Sequence, residues 1–117
     1  MAGVWVVLEH PKFAREWERL PISTQKKLDA VVQILREHGP ALGRPYVDTL
    51  NASRHGNMKE IRLNADGVWR FAFAFDPARN AVILVGGDKE GENQTAFYKK
   101  FIRLADARLD EWLAQES

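Results

Sequence analysis

Residues 54–62, Arg-His-Gly-Asn-Met-Lys-Glu-Ile-Arg, concentrate groups that bind anions or exchange protons: Arg54, His55, Lys59, Glu60 and Arg62. Arg70 follows after one short turn, then Lys89, then Tyr98, Lys99 and Lys100. Guanidinium groups hold phosphate oxygens in bidentate fashion, and a carboxylate or imidazole within reach can take the proton of an attacking hydroxyl. Such groups gathered on one surface point to a phosphate ester, and the chemistry they suit is RNA cleavage. The histidines, His10, His38 and His55, have no metal-ligand spacing, and no pair of acidic residues shares one strand face, so no metal or other cofactor is expected. The chain has no cysteine, which rules out a thiol nucleophile, a disulfide and a cysteine metal site. Gly86-Gly87 before Asp88-Lys89 would let backbone approach a ligand, but the further glycines and the Lys-Ser/Thr of a nucleotide loop are missing.

A chain of 117 residues with 45% hydrophobic and 28% charged residues fits one domain over 1–117 with one core. The net charge of +1 argues against a protein that coats nucleic acid by charge alone. The distribution is uneven, however: basic residues outnumber acidic ones over 44–103, and the balance reverses over 104–117. The longest apolar runs, residues 4–8 and 71–75, are too short to span a bilayer, and the N-terminus lacks a signal-peptide pattern. These features, with the absence of cysteine, suit a cytoplasmic protein without a membrane partner.

Positioning these groups requires an α+β scaffold. The apolar run 5–8 reads as a buried strand. Pro11 fits the first turn of a helix carrying Phe13, Trp17 and Leu20 at helical spacing, and Pro21 ends it. Ser23 is placed to cap a second helix whose stripe is Leu28, Val31, Val32 and Leu35, stopped by Gly39-Pro40. Residues 40–57 read as loop. Segments 58–64 and 68–75 form a hairpin, residues 76–80 a tight turn, 81–85 a central strand and 86–91 a flexible exit. A last helix starts near 93–95 and buries Phe97, Phe101, Leu104 or Ala105, Leu109 and Trp112. The expected order is β-α-α-β-β-β-α, with a mostly antiparallel sheet packed against helices.

The hairpin register follows from the faces. Ile61, Leu63, Trp69, Phe71, Phe73 and Phe75 belong on one side, which a three-residue loop with Gly67 left-handed achieves by pairing Leu63 with Trp69 and Ile61 with Phe71. Arg62 then sits directly opposite Arg70 on the other side, beside Glu60 and over a floor of Ala72 and Ala74. Like charges in that position are unfavourable unless something anionic binds them, and the bland alternative is a solvated face with Glu60 as counterion. On such an exposed face Arg70 should add little to stability. By alternation Lys59 falls on the core side, at the strand start where it has room to reach the rim. His55 lies in a Gly-flanked loop, and Tyr98 either stacks on an RNA base or covers the core.

The segment 53–62, with Leu50 before it, resembles the phage-derived HigB-type branch of the RelE/ParE toxin superfamily. So do Trp69-Arg70-Phe71-Ala72-Phe73, Phe75-Asp76-Pro77, Gly86-Gly87-Asp88-Lys89 and Phe97-Tyr98 followed by Ala105-Asp106. The resemblance covers nearly the whole chain. It implies a RelE-like fold and the toxin of a type II toxin–antitoxin pair, a metal-independent endoribonuclease cutting messenger RNA in the ribosomal A site. It also implies a cognate helix-turn-helix antitoxin, with promoter DNA bound only through the toxin–antitoxin complex. By the resemblance Arg62 and Arg70 bind the phosphate and its transition state, Lys89 protonates the leaving oxygen, and Tyr98 orients or stacks on the RNA; Arg54, His55 and Lys99 are further candidates for holding the substrate. The family's further basic residue two positions before Arg62 is here Glu60, with Lys59 adjacent, so the general base is Lys59, Glu60 or His55. A second function class stays open: a non-catalytic binder, either a ParE-like gyrase inhibitor or a decayed toxin that only holds its antitoxin.

Overall fold

The computed structural model describes residues 4–116. The elements run β1 (Val7–Glu9), α1 (Pro11–Trp17), α2 (Ile22–His38), a 3-10 turn (Gly39–Ala41), β2 (Val47–Thr49), β3 (Lys59–Asn64), β4 (Val68–Phe75), β5 (Ala81–Asp88) and α3 (Gln94–Glu116). They build a five-stranded sheet in the order β1-β5-β4-β3-β2, antiparallel except for the parallel β1–β5 pair.

Both faces of the sheet are covered. Ile61, Leu63, Phe71 and Phe73 pack with Phe13 of α1 and with Leu28, Val31 and Leu35 of α2. Met58, Ala72, Ala74, Val82 and Leu84 pack with Phe97, Phe101, Ala105 and Leu109 of α3. Strand alternation separates the two sets, because successive side chains leave opposite faces. The alanines are therefore no floor for a ligand. Their small side chains let the two phenylalanines of α3 lie against the sheet, and each buried aromatic contributes roughly 1.5–3 kcal/mol. A bulge between Ala72 and Phe73 pairs Ala72 with Val85 and Phe73 with Ile83, leaving Leu84 over. Leu84 and Val85 can thus both join the α3 side.

The β3–β4 register is the expected one: Leu63 pairs with Trp69, Arg62 with Arg70 and Ile61 with Phe71 across the loop 65–67. Gly67 takes the positive φ expected of it, and Asp66 before it does so too, at φ 50°. Gly67 takes φ 131°, and a Cβ there would stand 2.5 Å from the Asp88 carboxylate, which accepts the Val68 N–H at 2.9 Å.

Other details depart from the sequence reading. The first strand begins at Val7, and Val4 and Val6 are exposed. Ser23 caps nothing; it lies inside α2 and donates to Asp66 of the hairpin loop, while Pro21 holds the cap position. The presumed loop 40–57 contains the edge strand β2, whose Val47 is buried opposite Ile61. The presumed flexible exit belongs to β5 as far as Asp88. Gly86 and Gly87 serve packing there, not ligand approach: a Cβ on Gly86 would lie 2.5 Å from the Phe71 ring, and one on Gly87 3.0 Å from that of Phe97.

Candidate anion site at the sheet–helix junction

Beyond the alanines, the α3 face of the sheet ends in Glu60, Arg62 and Arg70. Cross-strand pairing puts the two arginines side by side and sets Glu60 opposite Ala72. The first turns of α3 bring Tyr98 over them, and the loop after β5 brings Lys89. Glu60 is the centre. One carboxylate oxygen accepts from Arg62 Nη1 at 2.9 Å, and the other accepts from the Tyr98 hydroxyl at 3.0 Å with Arg70 Nε 3.9 Å away. Arg70 Nε also donates to the Tyr98 hydroxyl at 3.3 Å, and its Nη1 donates to the Trp69 carbonyl at 2.9 Å. Lys89 Nζ stands 5.7 Å from the centre of the Tyr98 ring.

The expectation of a solvated arginine face fails here. Glu60 is 3% exposed and Arg70 6%, whereas the Arg62 side chain keeps 25%. Helix α3 causes the difference, since it roofs the inner part of the face and leaves Arg62 at the open edge. Burial, reinforced by the Arg70 and Arg62 charges, holds the Lys89 ammonium below the ordinary lysine pKa. Burial is also the main reason the Tyr98 hydroxyl is pushed above the usual tyrosine value. The site therefore offers two guanidiniums, an ammonium with a lowered pKa, a phenol and one carboxylate. That set can bind a phosphodiester and move protons to and from its oxygens.

Other expected site residues lie elsewhere. Lys59 faces the α1/α2 side opposite Phe73, and its Nζ donates to the Pro40 carbonyl at 3.3 Å. His55 is turned to α3, with Nε2 2.9 Å from Asp110. Arg54 pairs with the same Asp110, and Ser53 Oγ donates to Asp106 at 2.5 Å. The acidic C-terminal segment thus anchors the loop 53–55, which the charge reversal after residue 103 foreshadows. Lys99 is exposed and shares a groove along α3 with Arg54 and Tyr98. Around the arginines the sequence reading missed Asp48, which lies opposite Glu60 and is held below the usual aspartate value chiefly by Arg44. It also missed Tyr46, whose carbonyl accepts the Arg62 N–H at 2.8 Å. Neither carries a signal within a stretch that reads as loop. Among the described residues no group of three or more His, Asp or Glu side chains is placed to hold a metal ion. No helix among them is long and apolar enough to cross a membrane.

This architecture defines a RelE-like α+β protein. It matches the E. coli toxin RelE, in the free state of a double arginine-to-alanine mutant, with a TM-score of 0.59 over 85% of this chain and 98% of that one. At 14% identity that likeness concerns the fold alone. The chain belongs to the family described as "Phage derived protein Gp49-like (DUF891)", whose model matches residues 15–110. It is 42% identical to the putative toxin HigB3 of Mycobacterium tuberculosis over 106 residues, covering 91% of both chains. It is 47% identical to the putative toxin HigB2 of the same organism over 94 residues, covering 79% of this chain and 46% of that protein.

Proposed function

We propose that this protein is the toxin of a type II toxin–antitoxin pair, a cytoplasmic, metal-independent endoribonuclease that stops translation by cutting messenger RNA in the ribosomal A site. The observation that carries the reading is the cross-strand pair Arg62–Arg70 with Lys89 and Tyr98 gathered around Glu60. Kinship to proteins named as HigB toxins supports the toxin class. The partner is a helix-turn-helix antitoxin, and promoter DNA is engaged only through their complex.

In this mechanism the 2′-hydroxyl of the RNA attacks the adjacent phosphorus, and the bond to the 5′-oxygen breaks. Glu60 takes the 2′-proton, because Lys59 and His55 point away from the arginines. Arg62 and Arg70 hold the two non-bridging oxygens as charge grows on them. Lys89, with its lowered pKa, donates a proton to the departing 5′-oxygen. Tyr98 stays neutral and holds the carboxylate in place until substrate arrives. A positioned base of this kind contributes about 10²–10⁴-fold.

The test is induced expression with mapping of RNA ends, together with cleavage of programmed ribosomes in EDTA. The reading requires 2′,3′-cyclic or 3′-phosphate ends, 5′-hydroxyl ends and survival of a 2′-O-methyl substrate. Cleavage that needs magnesium and leaves 5′-phosphates contradicts it. Glu60 also supports the second reading, a non-catalytic binder, because in the free protein its carboxylate is already paired with both guanidiniums. Intact RNA with gyrase inhibited, or with the antitoxin bound and nothing else affected, selects that reading.

A further inference from the structure

The sheet edge next to Arg62 opens into a second concavity. A cleft of about 660 Å³ lies between α2 and the segment leading into β2, lined by Lys27, Ile34, Arg44, Tyr46, Arg62 and Arg70 among others. Its size is that of a small-ligand site. Both arginines of the anion site also line it, so the two places adjoin. Tyr46 is 38% exposed, and its ring and hydroxyl have no hydrogen-bond or ring partner among the described residues. Its position is nevertheless fixed through its backbone: the Tyr46 carbonyl accepts from Arg62 N–H, and its own N–H donates to Gly43 at 3.2 Å. Among the described residues Arg44 is paired only with Asp48, at 2.7 Å, and its side chain is 66% exposed. A surface pair of this kind is worth at most about 1 kcal/mol, so a phosphate can replace Asp48 at little loss.

A free aromatic ring, an exchangeable guanidinium and a patch of aliphatic wall are the parts that bind single-stranded nucleic acid. We propose that this cleft is a subsite for the RNA nucleotide next to the scissile phosphate, with Tyr46 as the stacking platform for its base and Arg44 as the contact to its phosphate. The inference rests on the ribonuclease reading above and deepens it. A strand held at Arg62 and Arg70 has this cleft as its continuation. Tyr46 then selects by stacking strength, which favours purines at that position.

The experiment uses the whole purified chain and 2′-O-methyl oligoribonucleotides, which cannot be cut, with binding followed by fluorescence anisotropy. Lengthening a dinucleotide by one base on the side that enters the cleft should tighten binding at least about fivefold, the low end of stacking energies. An abasic residue at that position should abolish the gain, as should Tyr46→Ala, while Tyr46→Trp should keep it. Arg44→Ala should flatten the salt dependence by about 0.7 in log K per log [salt], the loss of one single-strand phosphate contact. The exposed Tyr46 side chain makes Tyr46→Ala a fold-neutral change, to be checked by its melting temperature. Equal binding of the longer oligonucleotide by wild type and Tyr46→Ala, or indifference to the abasic residue, overturns the subsite. Arg62→Ala separates the levels: it should weaken the dinucleotide and the longer oligonucleotide alike. If it weakens neither while the Tyr46 effects hold, the phosphate site falls and the base platform stands. If no oligonucleotide binds while an acidic peptide does and loses affinity in Tyr46→Ala, the cleft belongs to a protein partner and the proposal is wrong.

Discussion

Arg70→Ala separates an arginine on an open sheet face from the buried one observed. On an open face the change would fall within about 0.5 kcal/mol of neutral. In the structure the Arg70 side chain is 7% exposed, with Trp69 O at 2.9 Å, the Tyr98 hydroxyl at 3.3 Å and Glu60 Oε1 at 3.9 Å. Truncation leaves Glu60 buried with one guanidinium fewer and opens space under α3. Breaking a buried pair from one side costs about 3–5 kcal/mol. Arg62 still reaches the carboxylate at 2.9 Å, so the loss belongs at the low end, about 3 kcal/mol. Against a total stability of roughly 5–15 kcal/mol the variant stays folded but weakened. With a urea slope near ~2 kcal/mol/M, the midpoint should fall by about 1.5 M. The double substitution Glu60→Gln with Arg70→Met removes both charges and should be at least ~1 kcal/mol more stable than the sum of the single losses implies. The assay is urea unfolding followed by tryptophan fluorescence for wild type, Arg70→Ala, the single variants Glu60→Gln and Arg70→Met, and their double. A midpoint for Arg70→Ala within about 0.3 M of wild type, or additivity within about 0.5 kcal/mol, refutes the buried network. A practical consequence is that lost growth inhibition in Arg70→Ala says nothing about catalysis until its folded fraction is known.

Arg62→Ala probes function from the other side of the pair: its side chain is 25% exposed but holds the buried Glu60 at 2.9 Å, so the variant should lose about 1–3 kcal/mol in urea and all growth inhibition, and a folded, still toxic variant would end its role. Phe71, fully buried, packs on Trp69 at 5.7 Å and edge-on to Phe13 at 5.9 Å, so Phe71→Ala should cost about 3–5 kcal/mol in the same melt. Gly86→Ala adds a single methyl 2.5 Å from the Phe71 ring and should cost about 1–3 kcal/mol; a neutral result would show that the ring can move aside. The Arg54 guanidinium, with help from His55, holds Asp110 below the usual aspartate pKa. A lowered folded pKa means stability that is present above the ordinary value of about 3.9 and lost as pH falls through the lower one. Between pH 5 and 2.5 wild type should therefore lose more of its urea midpoint than Asp110→Asn, and equal losses would deny the contact any weight.

Much of the molecule follows from the sequence alone. Alternation of Ile61 and Leu63 against Trp69, Phe71 and Phe73 determines the hairpin register, because a slip by one residue would turn the whole apolar set to the wrong side. The register in turn sets Arg62 beside Arg70. The helical spacing of Leu28, Val31 and Leu35 determines α2, and Asn93, whose side chain accepts from Ala96 N–H, marks the start of α3. What covers the second face of the sheet is a tertiary matter. Nothing in the local pattern around Ala72 and Ala74 distinguishes an alanine floor open to a ligand from a bed for Phe97 and Phe101, since small residues serve both. That one choice decides the burial of Arg70 and Glu60, the position of Tyr98 and the lowered pKa of Lys89. The short strand β2 was equally hidden, because three residues hold no readable period and Val47 is recognisable as core only opposite Ile61. His55 and Arg54 sit beside Lys59 and Glu60 in the chain but turn to Asp106 and Asp110, acids some 50 residues further along. Charge partners at that separation are chosen by the packing of α3, which no local spacing encodes.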